Sequence, residues 1–181
     1  MSMPKEPNSV KLIISLITGD KGILKAVLKE LEDKFGGIDI LSARLYFNHT
    51  DYYKDEMGDG LFRKLASFEN LIKPDSLPDI KLFTNSLEDE CLKENRKRMI
   101  NIDPGYIAME KTVLASCKNF SHRIYLQKGV YADLTLIYRA DNFQPLEWTF
   151  PDYAENSMRR LLKGIRERYV HQLQKEAYIN A

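Results

Sequence analysis

Four ionisable side chains between residues 103 and 123 are of the types that build catalytic or binding sites: Asp103, Lys111, His122 and Arg123. A carboxylate or an imidazole can accept and release protons. Lysine and arginine neutralise phosphate or carboxylate groups, arginine with two parallel hydrogen bonds. We therefore take Asp103, Lys111 and His122 as candidate catalytic residues and Arg123 as a candidate anion-binding residue. The alternative, which is the commoner situation for such residues, is that they are ordinary surface charges.

A second polar group lies on a predicted helix that begins near Pro78. Lys81, Thr84, Asn85 and Glu88 fall on neighbouring turns, so their side chains should form one strip. This strip could line a site, or it could be the solvated face of the helix. The predicted ligand-binding residues are Arg123, Tyr106, Tyr125, Glu88 and Lys81.

The chain lacks the motifs of several enzyme classes. A phosphate-binding P-loop ends in Gly-Lys-Ser/Thr, and this sequence contains no Gly-Lys dipeptide. The patterns Gly-x-Gly-x-x-Gly, Gly-x-Ser-x-Gly and His-Glu-x-x-His are also missing. Cys91 and Cys117 are isolated, and there are only three histidines, so we predict no metal site. The sequence identifies no cofactor.

Two further charged segments allow two interpretations each. Residues 48–60, NHTDYYKDEMGDG, carry several carboxylates beside His49, but their spacing does not match a calcium loop. They could form a mobile loop over a pocket or a solvated connector. The last predicted helix carries a concentrated basic surface that could bind RNA phosphates or a protein partner, or could serve solubility alone. Its cations are Arg159, Arg160, Lys163, Arg166 and Arg168.

The composition is that of a globular protein. The chain has 181 residues, of which 44% are hydrophobic and 29% charged, and we expect one domain over residues 1–181 with a flexible stretch at 1–9. A formal net charge of +1 provides no overall field for nucleic acid or membrane. The first apolar run, LIISLI, is too short for an export signal or a membrane span. We expect a cytoplasmic protein that does not associate with membranes.

The predicted elements indicate an α+β fold. A strand over Val10 to Thr18, a helix capped by Asp20 and stopped at Gly36-Gly37, and strands over 38–47 and 62–71 precede the Pro78 helix, which should run to about Arg96. A strand over 98–103 follows. This order is compatible with a ferredoxin-like βαββαβ core, a mainly antiparallel sheet with helices packed on it. A hairpin about Lys128-Gly129 and a C-terminal helix extend it.

The segment INIDPGYIAMEKTVLAS, residues 100–116, is ambiguous. Asp-Pro is a common start of a helix, with Asp103 as the cap and Pro104 as the first helical residue. We favour a helix that runs through GYIAMEKTVLASC and stops near Asn119, over an extended strand. In the last helix, Asp152 and Glu155 have the spacing of a capping box, ahead of a buried stripe from Met158 to Leu173.

Several fragments resemble one family of prokaryotic proteins, the domain-of-unknown-function 4416 family. They include SFENLIKPDSL, IKLFTNSLED, NIDPGYIAMEKTVLAS and HRIYLQKGVYADLTLIY, and the likeness extends over nearly the whole chain. The resemblance implies no established role for any residue. Some members of the family are labelled GTP-binding proteins, yet this sequence has neither a P-loop nor an Asn-Lys-x-Asp element, so a P-loop GTPase mechanism is not expected.

Taken together, the residues favour a small-ligand site for an anionic or nucleotide-like molecule, where the strand ending at Asp103 meets the hairpin that contains His122. The alternative is a non-catalytic module that binds RNA or protein through the basic C-terminal helix. The sequence identifies no reaction, so enzymatic activity stays an open question.

Overall fold

The computed structural model describes residues 2–46, 54–92 and 97–179. Within these ranges it contains five α-helices and nine strands. The strands are β1 (Val10–Thr18), β2 (Ile38–Leu41), β3 (Leu45–Tyr46), β4 (Phe62–Ile72), β5 (Ile100–Ile107), β6 (Lys111–Ser116), β7 (Arg123–Gln127), β8 (Val130–Arg139) and β9 (Asn142–Pro145). The helices are α1 (Lys21–Phe35), α2 (Lys54–Met57), α3 (Leu77–Glu90), α4 (Pro151–Ala154) and α5 (Asn156–Ile179), and a single 3-10 turn, Pro74–Ser76, precedes α3.

All nine strands form one antiparallel sheet. Its main order is β2-β4-β1-β5-β6-β8-β7, with β3 beside β4 and β9 beside β8. The first four strands of this order, with α1 and α3 as the connecting helices, have the split βαβ arrangement of a ferredoxin-like core. The α+β prediction is confirmed, and β6 to β9 extend the core from β5 outward.

Helices α1 and α3 pack on one face of the sheet. The α1 helix begins as predicted, because the Asp20 carboxylate accepts hydrogen bonds from the backbone N–H groups of Gly22 and Ile23. It ends at Gly36, whose φ of 93° is a conformation that suits glycine. The apolar residues between these helices and the sheet form a core, and each fully buried aliphatic side chain contributes about 1.5–3 kcal/mol. That core includes Leu12, Leu16, Leu31, Phe68 and Ile102.

Helix α5 covers the opposite face of the sheet. Its predicted stripe is confirmed, since Met158, Leu162, Ile165 and Tyr169 are each at least 98% buried against the sheet. The predicted capping box is wrong. Glu155 has an extended backbone that separates the short α4 from α5, so the long helix begins at Asn156.

Residues 104–116 form an antiparallel hairpin, and the predicted helix over this segment is wrong. Asp103 therefore lies within strand β5 and does not cap a helix. Gly105 permits this pairing, because a Cβ atom at that position would lie 2.4 Å from the carbonyl oxygen of Val113 in β6. As a strand, β5 pairs with β1 over its whole length, which a helix starting at Pro104 could not do.

Other predicted boundaries differ from the structure by a few residues. The strand expected over 38–47 is divided into β2 and β3, and α3 ends at Glu90. The hairpin about Lys128-Gly129 is confirmed, with φ values of 54° and 76° at the two turn residues. His49 and Asp51 of the acidic segment, and the predicted end of the α3 helix at Arg96, lie outside the described residues. Among the helices that the structure describes, none has the length and apolar character to span a membrane.

Candidate functional site

A cavity of about 650 Å³ opens where strands β5 and β6 separate. The two strands pair only from Gly105 to Ile107 of β5, so residues 100–104 have no partner in β6. Pro104 has no N–H to donate, which lowers the cost of leaving this edge of β5 unpaired. The space between the strands is enclosed by α3 and by the chain around α4. Its charged lining residues are Arg63, Lys81, Glu88, Asp89, Arg98, Asp103, Lys118, Arg123, Asp133 and Asp152.

Lys81 and Asp103 form an ion pair within the cavity. The Lys81 ammonium donates hydrogen bonds of 3.0 Å to the Asp103 carboxylate and of 3.0 Å to the backbone oxygen of Ile102. The Lys81 side chain is 8% exposed, whereas that of Asp103 is 35% exposed. Lys81 is thus largely buried, and the Asp103 carboxylate is the partner that is more accessible to solvent or a ligand.

A chain of hydrogen bonds continues from Asp103 to α2. Asn101 donates to Asp103 over 2.6 Å and accepts from Arg98 over 3.2 Å. The Arg98 guanidinium also donates to both oxygens of Glu56, at 2.8 and 2.7 Å. Such a fork fixes the plane of the guanidinium. The carboxylate and amide at this end of the cavity are therefore oriented before any ligand binds.

Glu88 is the second carboxylate close to Lys81. It accepts a hydrogen bond from the backbone N–H of Ile102, the residue next to Asp103. Its other carboxylate oxygen lies 3.6 Å from Arg98. Two carboxylates from different elements, α3 and β5, thus interact electrostatically with the same lysine.

The surroundings shift the pKa values of these three groups in different directions. Burial raises the pKa of Glu88, and the attraction of Lys81 offsets only part of this effect. Burial also acts to raise the pKa of Asp103, but Lys81 and Asn101 outweigh it, so this pKa lies below its ordinary value. Burial acts to lower the pKa of Lys81, and the charges of Asp103 and Glu88 outweigh it, so this pKa is raised. Asp103 is therefore ionised near neutral pH and can accept a proton or a hydrogen bond.

Arg123 and Asp133 form the opposite side of the cavity. The Asp133 side chain is 3% exposed and accepts a 2.9 Å hydrogen bond from Nε of Arg123. His122 lies 3.1 Å from the same carboxylate oxygen, and Thr135 donates to the other over 3.2 Å. Nη1 of Arg123 donates to the backbone oxygen of Lys118 over 2.9 Å. These contacts hold the guanidinium in one orientation.

Residues around α4 form the third side. The Arg63 guanidinium of β4 pairs with the Asp152 carboxylate of α4, and it lies 5.2 Å from the ring centre of Tyr153. Burial raises the pKa of Tyr153 well above its ordinary value, so the phenol keeps its proton. Phe150, which is 45% exposed, also lines the cavity and provides an aromatic surface beside the charged groups.

Four of the predicted site residues line this cavity: Lys81, Glu88, Asp103 and Arg123. Asn85 of the predicted α3 strip also lines the cavity and makes a 3.5 Å contact with the Cys117 sulfur. Thr84, the fourth residue of the strip, is fully buried and does not line it. His122 does not line the cavity, but it contacts Asp133, which does. Its ring stacks on Trp148 with 5.1 Å between the centroids.

Three predicted site residues lie elsewhere. Lys111 begins β6 at the turn of the hairpin, at the end of the strand remote from the cavity, and its ammonium is 2.9 Å from the adjacent Glu110. Tyr106 packs in the small core formed by Leu77, Val113 and Val130. Tyr125 lies on the outer strand β7, where it is 57% exposed. The structure therefore brings Asp103 and Arg123 to one cavity without Lys111.

Several residues of the cavity were not predicted from the sequence: Arg98, Asn101, Asp133 and Asp152. Asp133 is an acidic residue in the middle of an otherwise apolar strand, which is a pattern that could have identified it. The others have no distinctive spacing along the chain.

The basic surface predicted on α5 is largely used within the protein. Arg159 donates to the backbone oxygens of Ala154 and Phe143, at 3.0 and 3.1 Å. Lys163 pairs with Asp141, and Arg166 donates to the Met109 oxygen and covers the ring of Tyr138. These contacts use part of the hydrogen-bonding capacity of the α5 cations.

Within the part of the chain that the structure describes, no group of three or more His, Cys, Asp or Glu side chains is arranged to hold a metal ion. Comparison with curated proteins finds no match, and comparison with solved structures finds none either. One family model matches residues 8–169, which is most of the chain and includes all the cavity-lining residues. Its description is "Domain of unknown function (DUF4416)", and the chain belongs to this family.

Proposed function

We propose that the protein binds a small anionic or nucleotide-like molecule in the cavity between β5 and β6, with the anionic group of the ligand at Arg123. The cavity volume of about 650 Å³ is in the range of small-molecule sites in proteins, roughly 300–1,000 Å³. The cavity also combines an apolar surface with polar groups that are held in fixed orientations.

The orientation of Arg123 is the observation that carries this proposal. A guanidinium has five N–H donors, and the two bonds to Asp133 and to the Lys118 oxygen use Nε and one donor of Nη1. Nη2 has no hydrogen-bond partner among the described residues. The side chain is only 12% exposed, so its remaining donors are directed at enclosed space. A carboxylate or phosphate could accept two parallel hydrogen bonds from them.

The remaining charges restrict the ligand. The cavity is lined by five cationic and five carboxylate side chains, so its net charge does not favour a polyanion such as free triphosphate. A molecule with one anionic group and several neutral or cationic polar groups fits this balance better. Lys81 has three N–H donors and uses two of them. Its third donor and the accessible Asp103 carboxylate are available to the polar part of the ligand.

A thermal-shift screen tests the proposal. The compounds are nucleoside monophosphates, sugar phosphates, small carboxylates and inorganic phosphate, because a ligand at a hundred times its Kd stabilises a protein by about 2.7 kcal/mol. We expect at least one of them to raise the midpoint of unfolding. The Kd of that compound, measured by calorimetry, should rise ten-fold or more in Arg123→Gln, since a hydrogen bond to a charged group contributes about 1.5–3 kcal/mol.

Arg160→Gln is the matched control, because Arg160 is an exposed arginine on α5 that does not line the cavity. It should leave the Kd unchanged. Lys81→Met changes the other side of the cavity and should weaken the same compound. If no compound stabilises the protein, or if Arg123→Gln binds as tightly as the unmodified chain, the proposal is wrong. RNA or protein binding through α5 stays a prediction, and binding that falls steeply with salt and is lost in Arg160→Gln would favour it.

A further inference from the structure

Strand β7 is an outer strand of the sheet that neither helical layer covers. Among the described residues it pairs with β8 alone, so one edge of its backbone has no strand beside it. Its last four residues, 124–127, are all exposed, in contrast to the buried central strands. An uncovered strand edge offers unpaired N–H and C=O groups to another strand.

The side chains on this strand are apolar. Ile124 is 70% exposed, Tyr125 57% and Leu126 38%, and Phe120, just before the strand, is 64% exposed. Four large, exposed apolar side chains thus occur within a segment of seven residues, 120–126, at this edge of the sheet. Outer strands of monomeric proteins usually carry lysine, proline or another device that prevents pairing, and residues 123–127, RIYLQ, contain neither lysine nor proline.

The sequence of β7 is compatible with pairing to itself. Arg123, Ile124 and Tyr125 pair in regular register with β8, and the register shifts only after Tyr125. Ile124 is therefore the centre of the regular part. In an antiparallel pair of two β7 strands with Ile124 on the twofold axis, Ile124 lies opposite Ile124 and Arg123 lies opposite Tyr125. No two like charges then face each other, and the apolar side chains meet.

We propose that the protein forms a homodimer through β7, in which the sheets of two copies join edge to edge about a twofold axis at Ile124. A twofold contact uses the same surface on both copies and closes after two. The dimer removes the unpaired strand edge and covers apolar side chains that are exposed in a single chain. Ile124 and the other exposed side chains of β7 do not line the cavity, although Arg123 at the start of the strand does. The dimer is inferred from the strand edge and does not require a bound ligand.

Sedimentation analysis over a range of concentrations tests the dimer. The unmodified chain should be dimeric, and Ile124→Lys and Ile124→Glu should each be monomeric, because like charges would face each other across the axis. An equimolar mixture of the two variants should recover the dimer, because lysine and glutamate then lie opposite each other. Since Ile124 is largely exposed, both variants should keep the circular dichroism spectrum of the parent.

Leu41→Lys is the matched control. Leu41 is 43% exposed on β2, the strand at the opposite end of the main sheet order, so this variant should stay dimeric. A monomeric parent chain at all concentrations would overturn the proposal. So would a dimer that survives Ile124→Lys, or a mixture of the two charged variants that stays monomeric.

Discussion

Two lysine–carboxylate pairs among the described residues involve strands of the sheet, and they have very different surroundings. Lys11 of β1 pairs with Asp39 of β2 under α5, and their side chains are 0% and 1% exposed. Lys81 pairs with Asp103 beside the cavity, and that carboxylate is 35% exposed. The first pair is sealed between α5 and the sheet, whereas the second lies where two strands separate.

The sealed pair, Lys11 and Asp39, forms further hydrogen bonds with residues of both the sheet and α5. Lys11 also donates to Gln172 over 2.6 Å, and Asp39 accepts from Ser67 over 2.5 Å and from Arg168 over 2.9 Å. Gln172 and Arg168 of α5 are thereby bonded to the sheet. None of the five residues lines the cavity.

The Lys11–Asp39 pair is a structural ion pair, whereas the Lys81–Asp103 pair is suited to binding. Burying a charged pair costs desolvation energy that the pair itself seldom recovers fully. The hydrogen bonds of Lys11 and Asp39 to Gln172 and Arg168 attach α5 to the sheet, so this pair has a structural role. The hydrogen bonds around Lys81 and Asp103 leave the Asp103 carboxylate accessible from the cavity. An ion pair with a purely structural role would not need such access.

Replacement of the two lysines should show the difference most strongly. Lys11→Met leaves Asp39 buried with less compensation and should lower the free energy of unfolding by roughly 3–5 kcal/mol. Lys81→Met should cost less, roughly 1–3 kcal/mol, because water can reach Asp103 through the cavity. Denaturant unfolding measures both values.

The double variant Lys11→Met with Asp39→Asn provides the control for this prediction. It should lose less stability than the two single variants add up to, because it removes the uncompensated charge. If Lys81→Met costs as much as Lys11→Met, then the Lys81 pair is a structural pair like the other, and the distinction between the two regions fails.

Substitution of Gly105 tests what holds β5 and β6 together beside the point where they separate. It is the last residue of β5 that pairs with β6 before the cavity begins. Gly105→Ala places a Cβ against the Val113 oxygen and should cost about 1–3 kcal/mol, as overpacking in a filled space does. Amide exchange should accelerate at Ile107 and Thr112, which pair with each other, more than at Ile14 in the centre of the sheet.

Gly164→Ala is the matched control for this substitution. Gly164 lies within α5 with nothing within 4 Å of the position that a Cβ would occupy. Alanine there should stabilise the helix by up to about 1 kcal/mol. Equal effects of the two substitutions would mean that the close approach at Gly105 does not hold β5 and β6 together.

The regions of the fold that the sequence predicted well are those with a strong local pattern. The Asp20 cap and the glycines after Phe35 mark α1 without reference to the rest of the chain. The spacing of Lys81, Asn85 and Glu88 likewise places them on one side of α3, because helix geometry alone determines it. The stripe of α5 was predictable for the same reason.

The cavity could not be predicted, because it depends on long-range strand pairing. Asp-Pro begins helices and also occurs in strands with an unpaired edge, and only the presence of β1 on one side of Asp103 decides between them. That choice moved Lys111 away from Asp103, since a strand rises about 3.3 Å per residue and a helix 1.5 Å. Arg98 and Asp133 join the site through packing between elements distant in sequence, which no local spacing reveals.

Glu88 gives the smallest and most specific test of the comparison. Because its pKa is raised in the folded protein, the folded state binds more protons than the unfolded state as pH rises from the ordinary glutamate pKa through the raised value. Its contribution to stability is therefore present at low pH and is lost over that window. Asp39 should behave in the opposite way, since Lys11 and Ser67 overcome the effect of burial and lower its pKa, so that its contribution is lost as the pH falls.

Glu88→Gln removes this titration and keeps an oxygen that can accept the hydrogen bond from Ile102. Relative to the parent, its free energy of unfolding should rise with pH across the window, because the variant lacks the contribution that the parent loses there. Asp39→Asn should instead lose stability relative to the parent as the pH rises above the lowered pKa of Asp39. Unfolding curves from about pH 2 to pH 8 compare the two variants directly, because the Asp39 window lies below its ordinary pKa of 3.8. Parallel pH profiles for Glu88→Gln and the parent would mean that Glu88 does not share the low-dielectric side of the cavity with Lys81, and the sealed and open pairs would then differ in exposure alone.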